Sequence, residues 1–289
     1  MKVSTEIASA ARIIGEEKAV EYIAKAGFDA WDFSMFEMCR YDYEKQQLIL
    51  PNEHPLANND YLKFARKLRN IGLDNGIVCN QSHAPYPSKG DVRSYLKRAI
   101  ECTAEAGGKI CIIHPSNDNT LEQNAELYLE LLPFAKDTGV KIATENMWNW
   151  DFQKEHASPA ACSSHQSFKA LLDLVNDDYL VGCVDIGHAE MKGLETSAYE
   201  MIKYLGNKVQ ALHIHDNDKV NDFHMLPYEG QIDFSQMIKA LKEIDYKGYF
   251  TLEADTYFER NGYTKENIFN GIKNMAKVAK ELSNQFEGE

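Results

Sequence analysis

Residues 109–114 read Lys-Ile-Cys-Ile-Ile-His, a short apolar run that stops on an imidazole. Its length and near-continuous hydrophobicity suit a parallel strand covered on both faces. Five further runs share the form, ending on His83 (Val-Cys-Asn-Gln-Ser-His), Glu145 (Lys-Ile-Ala-Thr-Glu), Asp185 (Val-Gly-Cys-Val-Asp), His213 (Val-Gln-Ala-Leu-His) and Glu253 (Tyr-Phe-Thr-Leu-Glu). With His114 in its place, the six terminal residues are 31, 31, 40, 28 and 40 positions apart. Each interval is the length of one strand, one helix and their loops. Working outward, strand candidates fall at 2–7, 30–35, 76–82, 109–114, 141–147, 180–186, 209–215 and 248–254.

Amphipathic segments lie between these strands. In 234–244, Met237, Ile238, Leu241 and Ile244 form one stripe. Thr120-x-x-Gln123 and Asp233-x-x-Gln236 have the form of capping boxes that open helices. The turn Gly27-Phe28-Asp29 and the pair Gly107-Gly108 fall where helices should stop. Eight strand–helix units with no linker or low-complexity tract predict an α/β fold, a single (β/α)8 TIM barrel spanning 1–289 as one domain. A doubly wound sheet would need a Gly-rich phosphate loop after the first strand, and residues 4–9 offer none.

The net charge of −13 argues against general affinity for nucleic-acid phosphates or anionic membranes. The six cysteines include no Cys-x-x-Cys pair, and Cys79, Cys111 and Cys183 sit in apolar runs as small hydrophobes. No signal-peptide core is apparent at the start, and no apolar run approaches the ~20 residues of a membrane span. A reducing, cytoplasmic setting is the expectation.

In a (β/α)8 barrel the C-terminal strand ends converge on one mouth. A ring of imidazoles and carboxylates there, without cationic side chains at the same strand ends, calls for a shared metal ion. Glu145, Asp185, His213 and Glu253, from the fifth to eighth strands, form a mixed donor set suited to Mn²⁺, Zn²⁺, Co²⁺ or Mg²⁺. Three long connections, 36–59, 148–165 and 217–233, lie on the same face, where long loops tend to be functional. Trp148 and Trp150 in the second either wall a sugar-sized pocket or pack the loop onto the barrel. His54, His156 and His165 fall in loops and read as surface residues.

These motifs, in this order, resemble the xylose isomerase-like superfamily of sugar isomerases, epimerases and endonuclease IV. Val184-Asp185-Ile186-Gly187-His188-Ala189 carries its Asp-x-x-His motif. Ala143-Thr144-Glu145-Asn146, Leu212-His213-Ile214-His215-Asp216 and Leu252-Glu253-Ala254 are similar to its other late strand ends. Ser82-His83-Ala84-Pro85-Tyr86 and Ile113-His114-Pro115 match its third- and fourth-strand histidines. The resemblance covers nearly the whole chain.

The resemblance implies a sugar isomerase or epimerase that holds one divalent ion with Glu145, Asp185, His213 and Glu253 and needs no organic cofactor. Its substrate would be a small sugar, sugar phosphate or polyol-derived inosose; members of the family often form homo-oligomers, dimers or tetramers, and the sequence itself does not fix the assembly. Glu145 and Glu253 would form the acid/base pair on opposite faces of the substrate. One would remove the proton beside the carbonyl and the other return it, through a cis-enediolate stabilised by the metal. His83, His114, His188, His215 and Trp148 would contact substrate, His215 being placed there or behind the ligands rather than on the metal.

Endonuclease IV resembles this chain too, with three zincs and nine ligand positions. Here His83, His114, His188, Asp222 and His224 would supply the additional ligands of a trinuclear phosphodiesterase site. Against it, Lys219 is the sole positive residue between His213 and Asp233, and 36–59 sets Arg40 and Lys45 among four acidic residues. Tyr228, in Pro227-Tyr228-Glu229-Gly230, stands where relatives commonly have Gly. The same scaffold also suits a metal-dependent dehydratase. A non-catalytic binder of metal or sugar is disfavoured by the presence of both glutamates.

Overall fold

The computed structural model describes residues 1–288. Eight parallel strands form one sheet: β1 Val3–Glu6, β2 Ala30–Ser34, β3 Val78–His83, β4 Ile110–Ile112, β5 Lys141–Glu145, β6 Leu180–Asp185, β7 Val209–His213 and β8 Phe250–Leu252. Each pairs with its neighbour in sequence, and β1 also pairs with β8. Between β7 and β8 the sheet closes through one parallel bridge, Ile214 to Leu252, with the Ile214 N–H on the Thr251 carbonyl at 2.9 Å and the Glu253 N–H on the Ile214 carbonyl at 3.0 Å. The expected (β/α)8 barrel is therefore present, and all eight expected strands are found.

Alternation along the strands decides which residues reach the mouth. The two faces separate cleanly. Ile142, Val184, Leu212 and Leu252 join the large cluster packed against the surrounding helices. Ile112, Ala143, Val181, Cys183 and Ala211 form a separate small cluster, the filling of the barrel interior. Glu145, Asp185 and His213 lie two residues beyond Ala143, Cys183 and Ala211, so they share the interior face at its upper rim. Lower in the barrel, Ser4 Oγ donates to Asn80 Oδ1 at 2.7 Å and Asn80 Nδ2 to Thr251 Oγ1 at 3.1 Å, which satisfies polar groups that would otherwise be stranded.

The helix signals hold with one correction. Thr120 and Gln123 form the reciprocal capping box of the helix Leu121–Thr138. Asp233 does cap Phe234–Glu243, but its carboxylate accepts from the Ser235 N–H and Gln236 does not close a box. A short Asx-type turn satisfies the N–H one residue earlier, and the Gln236 N–H bonds to the Asp233 carbonyl at 3.2 Å. Gly27 and Gly107 end their helices with φ of 99° and 89°, the left-handed conformation that glycine adopts without strain. Two of the long connections contain β-hairpins, Tyr41–Asp42 with Gln47–Leu48 and Asn149–Asp151 with His156–Ser158.

All six cysteines are buried and free, and burial pushes each thiol upward, Cys111 to about 11 and Cys39 and Cys162 to about 12. Among the described residues no helix is long and apolar enough to cross a membrane.

Tyr128 ties the outer layer to the barrel. Fully buried, its hydroxyl donates to the Ile113 carbonyl at 2.8 Å and lies 2.8 Å from Thr144 Oγ1, beside the strand that carries Glu145. Replacing it by phenylalanine leaves those oxygens without their donor, and Tyr128→Phe is expected to cost about 1–3 kcal/mol in urea-induced unfolding at an unchanged m value.

Candidate metal centre and mouth

Every strand-end residue singled out in the sequence reaches the mouth. The ligand atoms of Glu145, Asp185, His213 and Glu253 lie within 4.8 Å of one another, and all four residues are buried. His213 Nδ1 sits between the glutamates, 3.0 Å from Glu145 Oε1 and 3.3 Å from Glu253 Oε2. Glu145 Oε2 meets His114 Nε2 at 3.1 Å. His83 Nε2 in turn lies 2.8 Å from His114 Nε2 and 3.9 Å from Glu145 Oε2. Two ring nitrogens aimed at one another beside a carboxylate oxygen form a second convergence of donors.

A third group lies on the other side of Asp185. His188, His215, Asp222 and His224 bring donor atoms within 4.8 Å of one another. His188 Nε2 and His224 Nε2 are 3.0 and 3.2 Å from Asp222 Oδ2, and His215 Nε2 is 3.0 Å from Asp185 Oδ1. The His215 and His224 rings stack at 3.8 Å. His215 thus belongs to this group and to Asp185, not to the group around His213. Its ring is admitted by Gly187, where a Cβ would fall 1.9 Å from His215 Cε1. Trp148 packs against Ala157, Met191 and Leu194 and also donates from Nε1 to Asp222 Oδ2 at 3.1 Å. Of the two roles considered for the loop tryptophans, these contacts are those of packing the loop onto the barrel.

The electrostatics follow from burial and sign. Burial alone would raise Glu145, yet the imidazoles of His213 and His114 outweigh it and hold the carboxyl well below its ordinary value. Glu253 is pushed well above by burial, with Glu145 and Asp185 adding to the rise against the pull of His213 and His224. Burial would lower His188, but Asp185 and Asp222 carry it up to about 10. His83 is lowered well below its ordinary value by burial and by His114. The two glutamates are therefore shifted in opposite directions within one site.

The donor set fits a divalent cation. Three carboxylates and an imidazole are buried together, and Asp185 Oδ2 and Asp222 Oδ1 are buried without any hydrogen-bond partner among the described residues. Hard oxygens with imidazole nitrogens suit Zn²⁺, Mn²⁺, Co²⁺ or Mg²⁺. Behind the ligands, His213 Nε2 lies 3.4 Å from Asp32 Oδ2, which accepts from Gln81 Nε2 at 2.8 Å. Asn146 brackets Asp185, its Nδ2 donating to the Asp185 carbonyl at 2.9 Å and its Oδ1 accepting the Asp185 N–H at 2.8 Å.

Three further residues, not among the site candidates read from the sequence, shape the mouth. Glu6 is the last residue of β1, and Asp32 lies mid-way along β2 in register with it, so their place in the strand pattern is the signal that marks them. Asp216, directly after His215, is fully buried. Its carboxylate accepts the N–H groups of Asn217 (2.8 Å), Tyr228 (3.0 Å), Gly230 (2.9 Å) and Ile232 (3.1 Å). It thereby fastens the connection that carries Asp222 and His224. Within that loop Lys219, His224 and Tyr228 hold φ of 64°, 44° and 74°. Tyr228 thus occupies a backbone state that favours glycine. Its ring packs on Phe234 and its hydroxyl accepts from Gln285 Nε2 at 3.0 Å, so its bulk is directed to the last helix. His54, His156 and His165 take no part in the three donor groups.

Comparison with known proteins gives the same frame. The family model described as "Xylose isomerase-like TIM barrel" matches residues 20–275. The chain belongs to that family. An uncharacterised protein of Methanocaldococcus jannaschii is 26% identical over 254 residues, 81% of this chain and 78% of that one. A fructoselysine 3-epimerase of Shigella flexneri is 28% identical over 191 residues, 64% of this chain and 66% of that one. Among solved structures, the IolI protein with a bound zinc atom aligns over 99% of this chain and 98% of that one, with TM-score 0.71 and 17% identity.

Two outcomes follow from these contacts. Asp216→Asn should speed amide exchange at Tyr228, Gly230 and Ile232 and cost about 1–3 kcal/mol, read by hydrogen exchange and urea unfolding. The second concerns Glu6, whose carboxylate accepts from the Ser9 N–H at 3.0 Å and from the Ser9 hydroxyl. Burial, helped by Asp255 and opposed by Ser9, raises its pKa from 4.5 to about 7. The folded state thus favours the neutral acid. That contribution is complete below pH 4.5 and is lost as pH rises through about 7, a change on the order of 3 kcal/mol. Glu6→Gln should flatten this part of the stability–pH curve, and an unchanged slope would contradict the assignment.

Proposed function

We propose that this protein is a divalent-metal-dependent sugar isomerase or epimerase. The observation that carries the reading is the convergence of Glu145, Asp185, His213 and Glu253, with the imidazole of His213 between the two glutamates. The similarity to a fructoselysine 3-epimerase supports a ketose as substrate, and the zinc in the IolI neighbour supports a divalent metal.

In this reading Glu145, Asp185, His213 and Glu253 hold one ion, which when bound supplies Lewis-acid polarisation of a substrate carbonyl. Glu145, on one side of His213, is the base that takes the proton from the carbon beside the carbonyl. Glu253, on the other side of His213, returns a proton to the opposite face. Return to the same carbon inverts that centre, and return to the adjacent carbon interconverts ketose and aldose. His188, its pKa raised to about 10 by Asp185 and Asp222, places positive charge beside the site that stabilises negative charge developing on a substrate oxygen. His83 and His114 line the opposite wall, and Trp148 fixes Asp222 while covering the site from the loop side.

One specific observation favours a second reading. His188, His215, Asp222 and His224 make a further donor group, and His83, beside His114, joins Glu145 and His213 in another. Side chains at all nine ligand positions of a trinuclear zinc phosphodiesterase therefore gather at the mouth. The charge of the mouth argues the other way, since Lys219, Arg40 and Arg12 are each matched by a carboxylate, Glu190, Glu37 and Asp255, and leave no net positive surface for a nucleic-acid backbone.

Elemental analysis of protein purified without added metal separates the two. The proposed isomerase should carry close to one divalent ion per chain, whereas two or three zincs would favour the phosphodiesterase. With the metal in place, Glu145→Gln and Glu253→Gln should each abolish exchange of the substrate's carbon-bound proton with D₂O, a loss of about 10²-fold or more. Retention of full exchange in either variant would sink the acid/base assignment.

A further inference from the structure

Beside the metal-ligand cluster, over the ends of β1 and β2, lies a cavity of about 570 Å³ whose walls include Arg12, Glu16, Phe36, Glu37, Arg40 and His54. It shares both flanks with the site. On one, the Phe36 ring packs 4.8 Å from the His83 ring. On the other, Arg12 Nη2 meets Asp255 Oδ2 at 3.4 Å, and Asp255 Oδ1 lies 3.9 Å from His224 Nδ1. The cavity therefore adjoins residues on both sides of the mouth, where a substituent extending from a substrate seated between His83 and His224 would lie.

The charges of the cavity are mixed and balanced. Two guanidiniums face two carboxylates, with Arg40 Nε and Nη2 both 2.9 Å from one oxygen, Oε2, of Glu37. His54 Nε2 holds Glu16 Oε1 at 2.7 Å, while His54 Nδ1 accepts the Leu56 N–H, so the ring is anchored at both nitrogens. Arg12 and Arg40 each keep about half of their side-chain surface exposed, at 55% and 54%, and so retain donors for a ligand. A site for a bare phosphate would carry net positive charge. A cavity whose positive and negative groups balance instead complements a ligand carrying both signs. The guanidiniums match a carboxylate, and the Glu37 carboxylate matches an ammonium.

We propose that this cavity is a substrate subsite for the zwitterionic tail of a sugar conjugate, so that the substrate is a ketose bearing an α-amino-acid-like substituent rather than a free or phosphorylated sugar. The proposal rests on the ketose reading of the metal centre and adds what lies beyond the reacting carbons. The volume is ample for such a tail, since ligand pockets run to roughly 300–1,000 Å³.

The test is calorimetric titration of the zinc-loaded full chain with three probes: fructose, fructose 6-phosphate, and fructose joined through C1 to the ε-amine of lysine, whose α-ammonium and α-carboxylate stay free. The lysine conjugate should bind at least about tenfold more tightly than fructose, and Arg40→Gln and Glu37→Gln should each remove most of that gain. Both side chains are exposed at the rim, and circular dichroism would confirm that each variant is folded. Equal affinity for conjugate and fructose overturns the subsite, as does a larger gain for fructose 6-phosphate, which would mark a simple anion site. Deuterium exchange of the same ligands, followed by NMR, keeps the two readings apart. Selective binding of the conjugate without exchange would leave the subsite standing and overturn the isomerase reading.

Discussion

Burial of like charge at the top of the barrel is the constraint around which the rest of this protein is organised. Three carboxylates, Glu145, Asp185 and Glu253, sit in one buried cluster, and the fold must supply positive charge or donors to each. It does so with imidazoles in front, His213, His114 and His188, and with fixed backbone and amide groups behind. Asn146 clamps the Asp185 backbone, and Asp32 with Gln81 stands behind His213. The small residues Ala143, Cys183 and Ala211 keep the interior narrow directly below. The charged residues are thereby held at the rim rather than within the dry filling of the barrel.

The same constraint sets the character of the connection from 217 to 233. Its backbone is neither helix nor strand, and three of its residues carry positive φ. Asp216 compensates by receiving four N–H groups at once, and reciprocal 2.8 Å hydrogen bonds join the backbones of Asp216 and Met225. The strain is concentrated where Asp222 and His224 must point back at His188 and His215, and the buried carboxylate is what makes that shape persist.

Much of this is legible in the chain because β-structure has a period of two. Once 141–145 and 209–213 are read as strands, Glu145 and His213 must face the same way as Ala143 and Ala211, and a barrel brings those faces together. The regular spacing of strand ends yields the topology for the same reason. What the chain does not disclose depends on contacts across long sequence separations. The division of the histidines into three groups, with His215 paired to Asp185 instead of joining His213, is set by the crowding of Gly187 against the His215 ring. Glu6 and Asp32 are inconspicuous in sequence because Val3–Glu6 and Ala30–Ser34 lack the long apolar run that marks the later strands and draws the eye to a polar last residue. The direction of Tyr228 is fixed by Gln285, 57 positions away.

The six buried thiols have a practical side. Each is held out of water and kept protonated, so the folded chain is nearly inert to alkylating reagents. Opening the barrel would expose Cys79, Cys111 and Cys183, which lie on three different strands, while Cys102 sits in a surrounding helix and Cys39 and Cys162 in mouth-side connections. Thiol labelling therefore acts as an internal clock with separate hands for the barrel wall, the helical layer and the rim. The order in which those hands move would tell which layer of the molecule comes apart first.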